Sequence, residues 1–302
     1  MLTLHGIIEL RDYVKHWRIT SQKIALVPTM GNLHAGHLRL VERAQDAAEH
    51  VVASIFVNPL QFGPNEDFKN YPRTLEADKN KLIAAGTELL FAPSIDEMYA
   101  GDREQITRVD VPGLTNILDG KFRPGHFAGM ATVVTKLLNM VQPDVALFGE
   151  KDYQQLQIIR RLVDDLSQPV EIIGVPTVRE VDGLAMSSRN LYLTPSEREL
   201  APQLFHTLEA LAQELRDGRR EFQRLESEAV RRLSTIGMRP DYVAIRAAGT
   251  LAAPDNGTVN LVILAAAWLG KARLIDNIQV HAENAQNTLP LERPHRSKVK
   301  ST

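Results

Sequence analysis

The feature that most constrains this chain is the regular exchange of β-branched runs and amphipathic segments through its first half. Lys23–Val27 reads as a strand, Leu38–Glu49 as a helix, Val51–Val57 as a strand and Leu75–Ala85 as a helix. Glu88–Phe91 is a short strand. Phe127–Val141 is helical, with Val133, Leu137, Leu138 and Val141 on one face. Val145–Phe148, Tyr153–Leu166 and Val170–Val175 continue the series as strand, helix and strand. This alternation predicts an α/β fold, a parallel sheet with helices on both faces, because each parallel connection must cross back over the sheet. Ligands of such sheets bind beyond the carboxyl ends of the strands. The residues that follow each strand are therefore the ones to read for chemistry.

After about Val175 the pattern changes. Two polar helices (Pro195–Arg216 and Phe222–Ile236) precede three strand-like runs, Tyr242–Arg246, Val259–Ala267 and Ala272–Val280. That order predicts a smaller α+β domain with an antiparallel sheet. The expected division is a parallel-sheet domain over residues 1–176, a small domain over 177–281 and a disordered tail over 282–302, where apolar periodicity is lacking. A chain of 302 residues that is 44% hydrophobic and 24% charged suits a core of this size. The net charge of −2 argues against a nucleic-acid surface, and the lack of cysteine excludes disulfides, thiolate metal sites and cysteine nucleophiles. The charged start MLTLHGIIELRDYV does not read as a secretory signal, and the longest apolar candidate, Val259 to Leu269, has the length of a buried strand. A cytoplasmic protein without a membrane span is expected.

Four segments carry chemistry. VPTMGNLHAGH (Val27–His37) follows a strand and opens a helix. Backbone N–H groups at a helix start attract anions, and His34 and His37 stand where they add donors to phosphate oxygens. A bare H-x-x-H is equally a polar helix start; H-x-G-H directly after a strand is more specific, and resembles the signature of the nucleotidylyltransferase and class I synthetase superfamily. A zinc reading lacks a third ligand cluster. SIFVNPLQFG (Ser54–Gly63) leaves the second strand. Asn58 and Gln61 both donate and accept there, which suits hydroxyls and a carboxylate, although Asn-Pro alone reads as a turn. FGEKDYQQ (Phe148–Gln155) sets Lys151 to neutralise phosphate, Asp152 to accept from ribose hydroxyls and Gln155 one turn on. In DGLAMSSRN (Asp182–Asn190) hydroxyls and Arg189 suit phosphate oxygens. A fifth stretch, Asp119–His126, is basic and rich in Gly and Pro, as a flap over an anion would be; for Arg123 a plain surface loop is the preferred reading.

Together with GHFAGMATVV (Gly125–Val134), these segments resemble the pantothenate synthetase family from about Ile24 to Val280. The resemblance implies a Rossmann-like first domain, a homodimer, and ATP-dependent ligation of pantoate to β-alanine through a pantoyl-adenylate, with AMP and pyrophosphate released and Mg²⁺ accompanying ATP. Carried over by motif, Met30, Gly31, Asn32, Leu33, His34, Ala35, Gly36 and His37 contact ATP, as do Gly149, Glu150, Lys151 and Asp152. Val178, Met186, Ser187, Ser188 and Arg189 complete the nucleotide site. Gln61 and Gln155 hold pantoate with Asn58 beside them, and Gln61 also meets β-alanine. His37 is the proton donor, and His34 and Lys151 complete the catalytic set; no protein metal ligand is implied. Alternatives are a nucleotidylyltransferase of the same superfamily, which keeps the adenylyl group in its product, a tRNA-binding synthetase fragment, and an inactive binding protein. Residues 177–280 are too small and not basic enough for the tRNA reading, and charged residues in all four segments argue against the last.

Overall fold

The computed structural model describes residues 1–64, 66, 68–101 and 105–282. In chain order the elements are β1 (Leu2–Leu4), α1 (Ile7–Ile19), β2 (Ile24–Thr29), α2 (Ala35–Ala47), β3 (His50–Ile55), α3 (Leu75–Ala84), β4 (Leu89–Phe91) and α4 (Ile95–Met98). There follow α5 (Asp119–Phe122), α6 (His126–Val141), β5 (Val145–Gly149), α7 (Tyr153–Asp165) and β6 (Glu171–Val175). The second half holds α8 (Pro195–Leu200), α9 (Gln203–Arg216), α10 (Phe222–Thr235), β7 (Arg239–Ala247), β8 (Asn260–Leu269) and β9 (Ala272–His281).

The first sheet is parallel throughout, in the order β1-β4-β3-β2-β5-β6. Its central strands are continuous apolar runs because both faces are covered. Ile24 and Leu26 of β2 pack with α1, α6 and α7 on one side, whereas Ala25 and Val27 pack with α2 and α3 on the other. From β2 the chain passes through α2 to β3 on one side; from β5 it passes through α7 to β6 on the other. Because β2 and β5 are neighbours, their outgoing loops diverge and leave a crevice at the strand ends, the place where such sheets bind ligands.

The second sheet is an antiparallel meander, β7-β8-β9. Both of its faces are used. Leu261, Ile263, Ala265 and Ala267 of β8 turn toward α9 and α10, while Val262 and Leu264 pack with Ala244, Leu251, Leu118 and Tyr153, the last two from the first half of the chain. Charge reinforces the junction: Arg273 in β9 donates to Asp119 (2.6 Å) and to Asp241 (2.8 Å), with all three side chains largely buried.

The predicted alternation and the change of sheet type are both present. Several features differ from the sequence reading, the short helices α4 and α5 among them. β1 and α1 were not anticipated, although Leu10, Val14 and Trp17 form a buried helical stripe. The helix expected over Pro195–Arg216 is two helices, because Pro202 has no N–H to continue the ladder. Ala282, placed above in the tail, is buried; its N–H donates to Val259 O (2.8 Å) and its carbonyl accepts from Arg220 (3.2 Å). Residues 283–302, the rest of the expected tail, lie outside the described residues. Among the described residues no helix is long and apolar enough to cross a membrane.

Candidate active site

The crevice begins with the turn between β2 and α2. Gly31 (φ +82°) and Asn32 (φ +51°) take left-handed conformations there. The turn is held from α3: Asp78, fully buried, accepts from the N–H groups of Asn32 and Leu33 at 2.8 Å each. Lys81 donates to Leu33 O at 2.6 Å. Nothing in the local sequence pairs Asp78 with a turn 46 residues earlier.

His34 then caps α2. Its Nδ1 accepts from Gly36 N (3.2 Å), and His37 Nδ1 accepts from His34 N (3.2 Å), a capping box built from two imidazoles. A neutral imidazole that accepts at Nδ1 carries its proton on Nε2. Both rings therefore keep an N–H to offer elsewhere. The spacing depends on Gly36, because a Cβ there would stand 2.9 Å from the His34 ring. Burial first, and then the neighbouring His34, push the His37 pKa down to about 3; burial first, and then Lys151, lower that of His34 to about 4. Near neutral pH both rings are uncharged donors. The expectation that backbone N–H groups bind the anion is thus modified: those of His34 and Gly36 are already occupied by the rings.

The adjoining strand end, after β5, supplies Gly149–Asp152. Lys151 is 18% exposed, with Nζ 3.9 Å from Asp152 Oδ2. Asn277 of β9 holds this loop by donating to Glu150 O (2.8 Å) and Lys151 O (2.9 Å). The Glu150 carboxylate turns away and accepts from Gln279 (3.1 Å). The Met186–Arg189 segment closes over the first turn: Ser188 Oγ donates to Asn32 O at 3.1 Å, and Ser187 Oγ accepts from Arg189 N.

Beyond β3, Asn58 is 1% exposed and fully engaged. Its Oδ1 accepts from Tyr99 Oη (2.8 Å) and Leu60 N (3.2 Å); its Nδ2 donates to Gln61 Oε1 (3.0 Å) and Gly129 O (3.0 Å). No capacity remains for a ligand. Asn58, expected beside the substrate, lines the cavity and orients Gln61. The Gln61 amide has its oxygen taken and its Nε2 facing only the Met30 thioether (3.0 Å), a weak acceptor, so it presents N–H donors. Close packing keeps the turn in place: a Cβ on Gly129 of α6 would lie 2.1 Å from Leu60 O.

These groups converge on a cavity of about 230 Å³. Met30, His34, Gly36, His37, Gln61, Gly149, Lys151, Asp152 and Gln155 line it, with Val178, Met186, Ser187, Ser188 and Arg189. Its floor is the apolar face of α6, Met130, Val133, Val134 and Leu137. Among the described residues that line it, Asp152 is the single carboxylate. A second cavity of about 650 Å³ lies between the two sheets and shares Arg123, His126, Lys151, Asp152, Gln155, Ser187 and Arg189 with the first. Four of the expected nucleotide contacts offer no side chain to the first cavity. Leu33 is buried in the core beneath α2, Ala35 is exposed, Asn32 gives its carbonyl to Ser188, and Glu150 points away. Gly31 shapes the turn rather than lining the cavity. Among the described residues no group of three or more His, Cys, Asp or Glu could hold a metal ion. The Asp119–His126 stretch is a structured wall: Arg123, read as a surface loop residue, pairs with Glu66 at 2.6 Å and is 15% exposed, and His126 is buried.

A parallel sheet whose switch-point crevice is walled by an H-x-G-H helix start, a lysine and a serine–arginine turn defines a nucleotide-dependent enzyme. The chain belongs to the pantoate-beta-alanine ligase family, whose sequence profile matches residues 2–279. It is 54% identical over 280 residues to pantothenate synthetase from Azotobacter vinelandii, covering 93% of this chain and 99% of the relative. It is 53% identical over 284 residues to pantothenate synthetase from Nitrosococcus oceani (94% and 99%). The crystal structure of pantothenate synthetase from Thermus thermophilus superposes with a TM-score of 0.87 at 47% identity, over 93% of this chain and 100% of that one. Pantoate-beta-alanine ligase from Francisella tularensis, complexed with beta-gamma ATP and beta-alanine, gives 0.76 at 36% identity (92% and 97%).

Proposed function

We propose that this chain joins pantoate to β-alanine in the switch-point cavity, through a pantoyl-adenylate, with ATP cleaved to AMP and pyrophosphate. The observation that carries this assignment is the pair of neutral imidazoles with Nε2–H donors, set with Lys151 in the cavity that Gln61 and the apolar face of α6 also line. A carboxylate is a poor electrophile, and phosphate repels it. Donors fixed where charge grows on the leaving pyrophosphate act most strongly in the transition state. His34, His37, Lys151, Ser187, Ser188 and Arg189 form that set, with His37 as proton donor. Met30–His37, Gly149–Asp152 and Val178 surround the nucleotide. The N–H groups of Gln61 and the amide of Gln155 meet pantoate, whose apolar body rests on α6, and Gln61 also meets the incoming β-alanine. The β-alanine amine then attacks the mixed anhydride and expels AMP.

Magnesium enters with the nucleotide. One carboxylate, Asp152, cannot form a protein cage, but Mg²⁺ characteristically keeps waters and substrate phosphates as ligands, so this donor set fits an ion held by the triphosphate. Its charge would offset that of the phosphates. The same reading gives a homodimeric, cytoplasmic enzyme with a division between two domains near residue 176. The test is release of AMP and pyrophosphate with ATP, pantoate and β-alanine, each omitted in turn. Pyrophosphate should form without β-alanine, and free AMP only with it. An adenylylated product that accumulates in place of pantothenate would mark a nucleotidylyltransferase instead.

A further inference from the structure

His126 does not belong to the reactive set, yet it is 8% exposed and lies where both cavities meet. Its two nitrogens have different partners. Arg123 Nη1 stands 3.0 Å from Nε2, and Gln61 O stands 2.7 Å from Nδ1. A guanidinium only donates. Nε2 must therefore accept, the ring proton must sit on Nδ1, and Nδ1 must donate to the Gln61 carbonyl. Arg123 is held in turn, with Nε to Glu66 Oε1 at 2.7 Å and Nη2 to Glu66 Oε2 at 2.6 Å, a fork that fixes the guanidinium plane.

We propose that Glu66, Arg123 and His126 form a polarised hydrogen-bond chain that fixes the backbone of Gln61, making His126 a positioning residue for recognition of the organic acid. The chain runs one way. The Glu66 carboxylate orients Arg123, Arg123 selects the Nδ1–H tautomer of His126, and His126 anchors the Gln61 carbonyl. Asn58 fixes the amide end of the same residue, so Gln61 is gripped at backbone and side chain and its N–H donors keep one direction. His126 and Gly129 sit one turn apart at the start of α6, and both contact the Asn58–Gln61 turn. That explains why the GHFAG segment accompanies the NPLQ segment. Burial, then the adjacent Arg123 cation, hold the His126 pKa at about 3, which keeps the ring able to accept from arginine. His126 is thus the tautomeric opposite of His34 and His37, which accept at Nδ1.

The inference rests on the reading that Gln61 meets pantoate, and two measurements keep the two apart. The first uses wild-type protein: imidazole nitrogen NMR should show His126 as the Nδ1–H tautomer, and His34 and His37 as Nε2–H. An Nε2–H tautomer at His126 overturns the chain. The second compares variants. In His126→Asn the amide nitrogen falls near Nδ1 and keeps the donor to Gln61; in His126→Gln an acceptor for Arg123 is kept and that donor is lost. The KM for pantoate should rise roughly tenfold in His126→Gln, the scale of one lost hydrogen bond, and by less than about threefold in His126→Asn. The KM for ATP should change by less than about twofold in both. Equal pantoate KM values in the two variants, or the reverse order, overturn the proposal. Gln61→Ala run in parallel isolates the underlying reading: if it leaves pantoate KM unchanged, the assignment of Gln61 itself fails.

Discussion

The two sheets contribute to the site in different ways. The parallel sheet offers only its ends. Its strand interiors are sealed on both faces, and the polar groups that reach the cavity stand on loops or helix starts, past β2, β3 and β5, on the Ser187–Arg189 turn after β6 and at the start of α6. The antiparallel sheet offers a face and an edge. Its Val262 and Leu264 dock against Leu118 and Tyr153, and its Asn277 and Arg273 reach across to the Glu150–Lys151 loop and to Asp119. One sheet thus carries the groups proposed to react, and the other holds their loops in register. Strand ends can be varied without disturbing a core, whereas the supporting sheet acts through buried contacts whose loss is felt as stability.

Substitutions should separate these roles. Lys151→Ala removes a cation from the strand-end set, and pyrophosphate release with ATP and pantoate should fall by roughly 10²-fold or more while the melting temperature holds. Near-normal turnover would remove Lys151 from the phosphate set. Arg273→Met should do the reverse. It leaves Asp119 and Asp241 without their shared cation, so unfolding free energy should drop by about 2–4 kcal/mol, with KM for ATP and pantoate rising together as the sheets undock. If KM rises for one substrate alone, Arg273 acts in the site and the comparison is wrong. Gln155→Ala should raise the KM for pantoate about tenfold and relax rejection of deoxy analogues, with little change for ATP.

The smallest effect concerns acid. Burial lowers His34, His37 and His126 from the ordinary 6.5 to about 4, 3 and 3. The unfolded chain therefore takes up protons that the fold refuses. Stability from this source is intact above about pH 6.5 and is lost as pH falls toward the folded values. His126→Asn removes one such group, so the loss between neutral pH and pH 6 should be smaller than in wild type by up to about 1 kcal/mol. Identical profiles in chemical denaturation would show that His126 titrates normally.

The strand–helix alternation, the change to an antiparallel meander and the converging segments were legible because period and strand-end chemistry are local signals. The contribution of Asn277 was not, since a strand asparagine announces no loop 126 residues earlier. Asp78 was hidden for the same reason. Arg123 reads as a surface-loop residue because Gly and Pro around it signal a loop, while the Glu66 partner that makes the loop a wall is visible only in space. Asn58 lines the cavity as the strand-end reading expects, but that four protein partners use its capacity is visible only in space. α1 carries a stripe of Leu10, Val14 and Trp17 at helical spacing, a local signal already present in the sequence.

The imidazole capping box also sets a conflict between durability and use. Serine, threonine, aspartate or asparagine is the preferred helix cap, and glycine loses more conformational freedom on folding than alanine does. His34 and Gly36 are inferior on both counts, and they are interdependent, since the ring of one occupies the space a side chain on the other would need. A His34→Ser, Gly36→Ala double variant should give a sturdier α2 and a poorer ligase. Sequence optimisation guided by thermostability alone would therefore erode this helix start first, and the loss would pass unnoticed in any assay that reads folding.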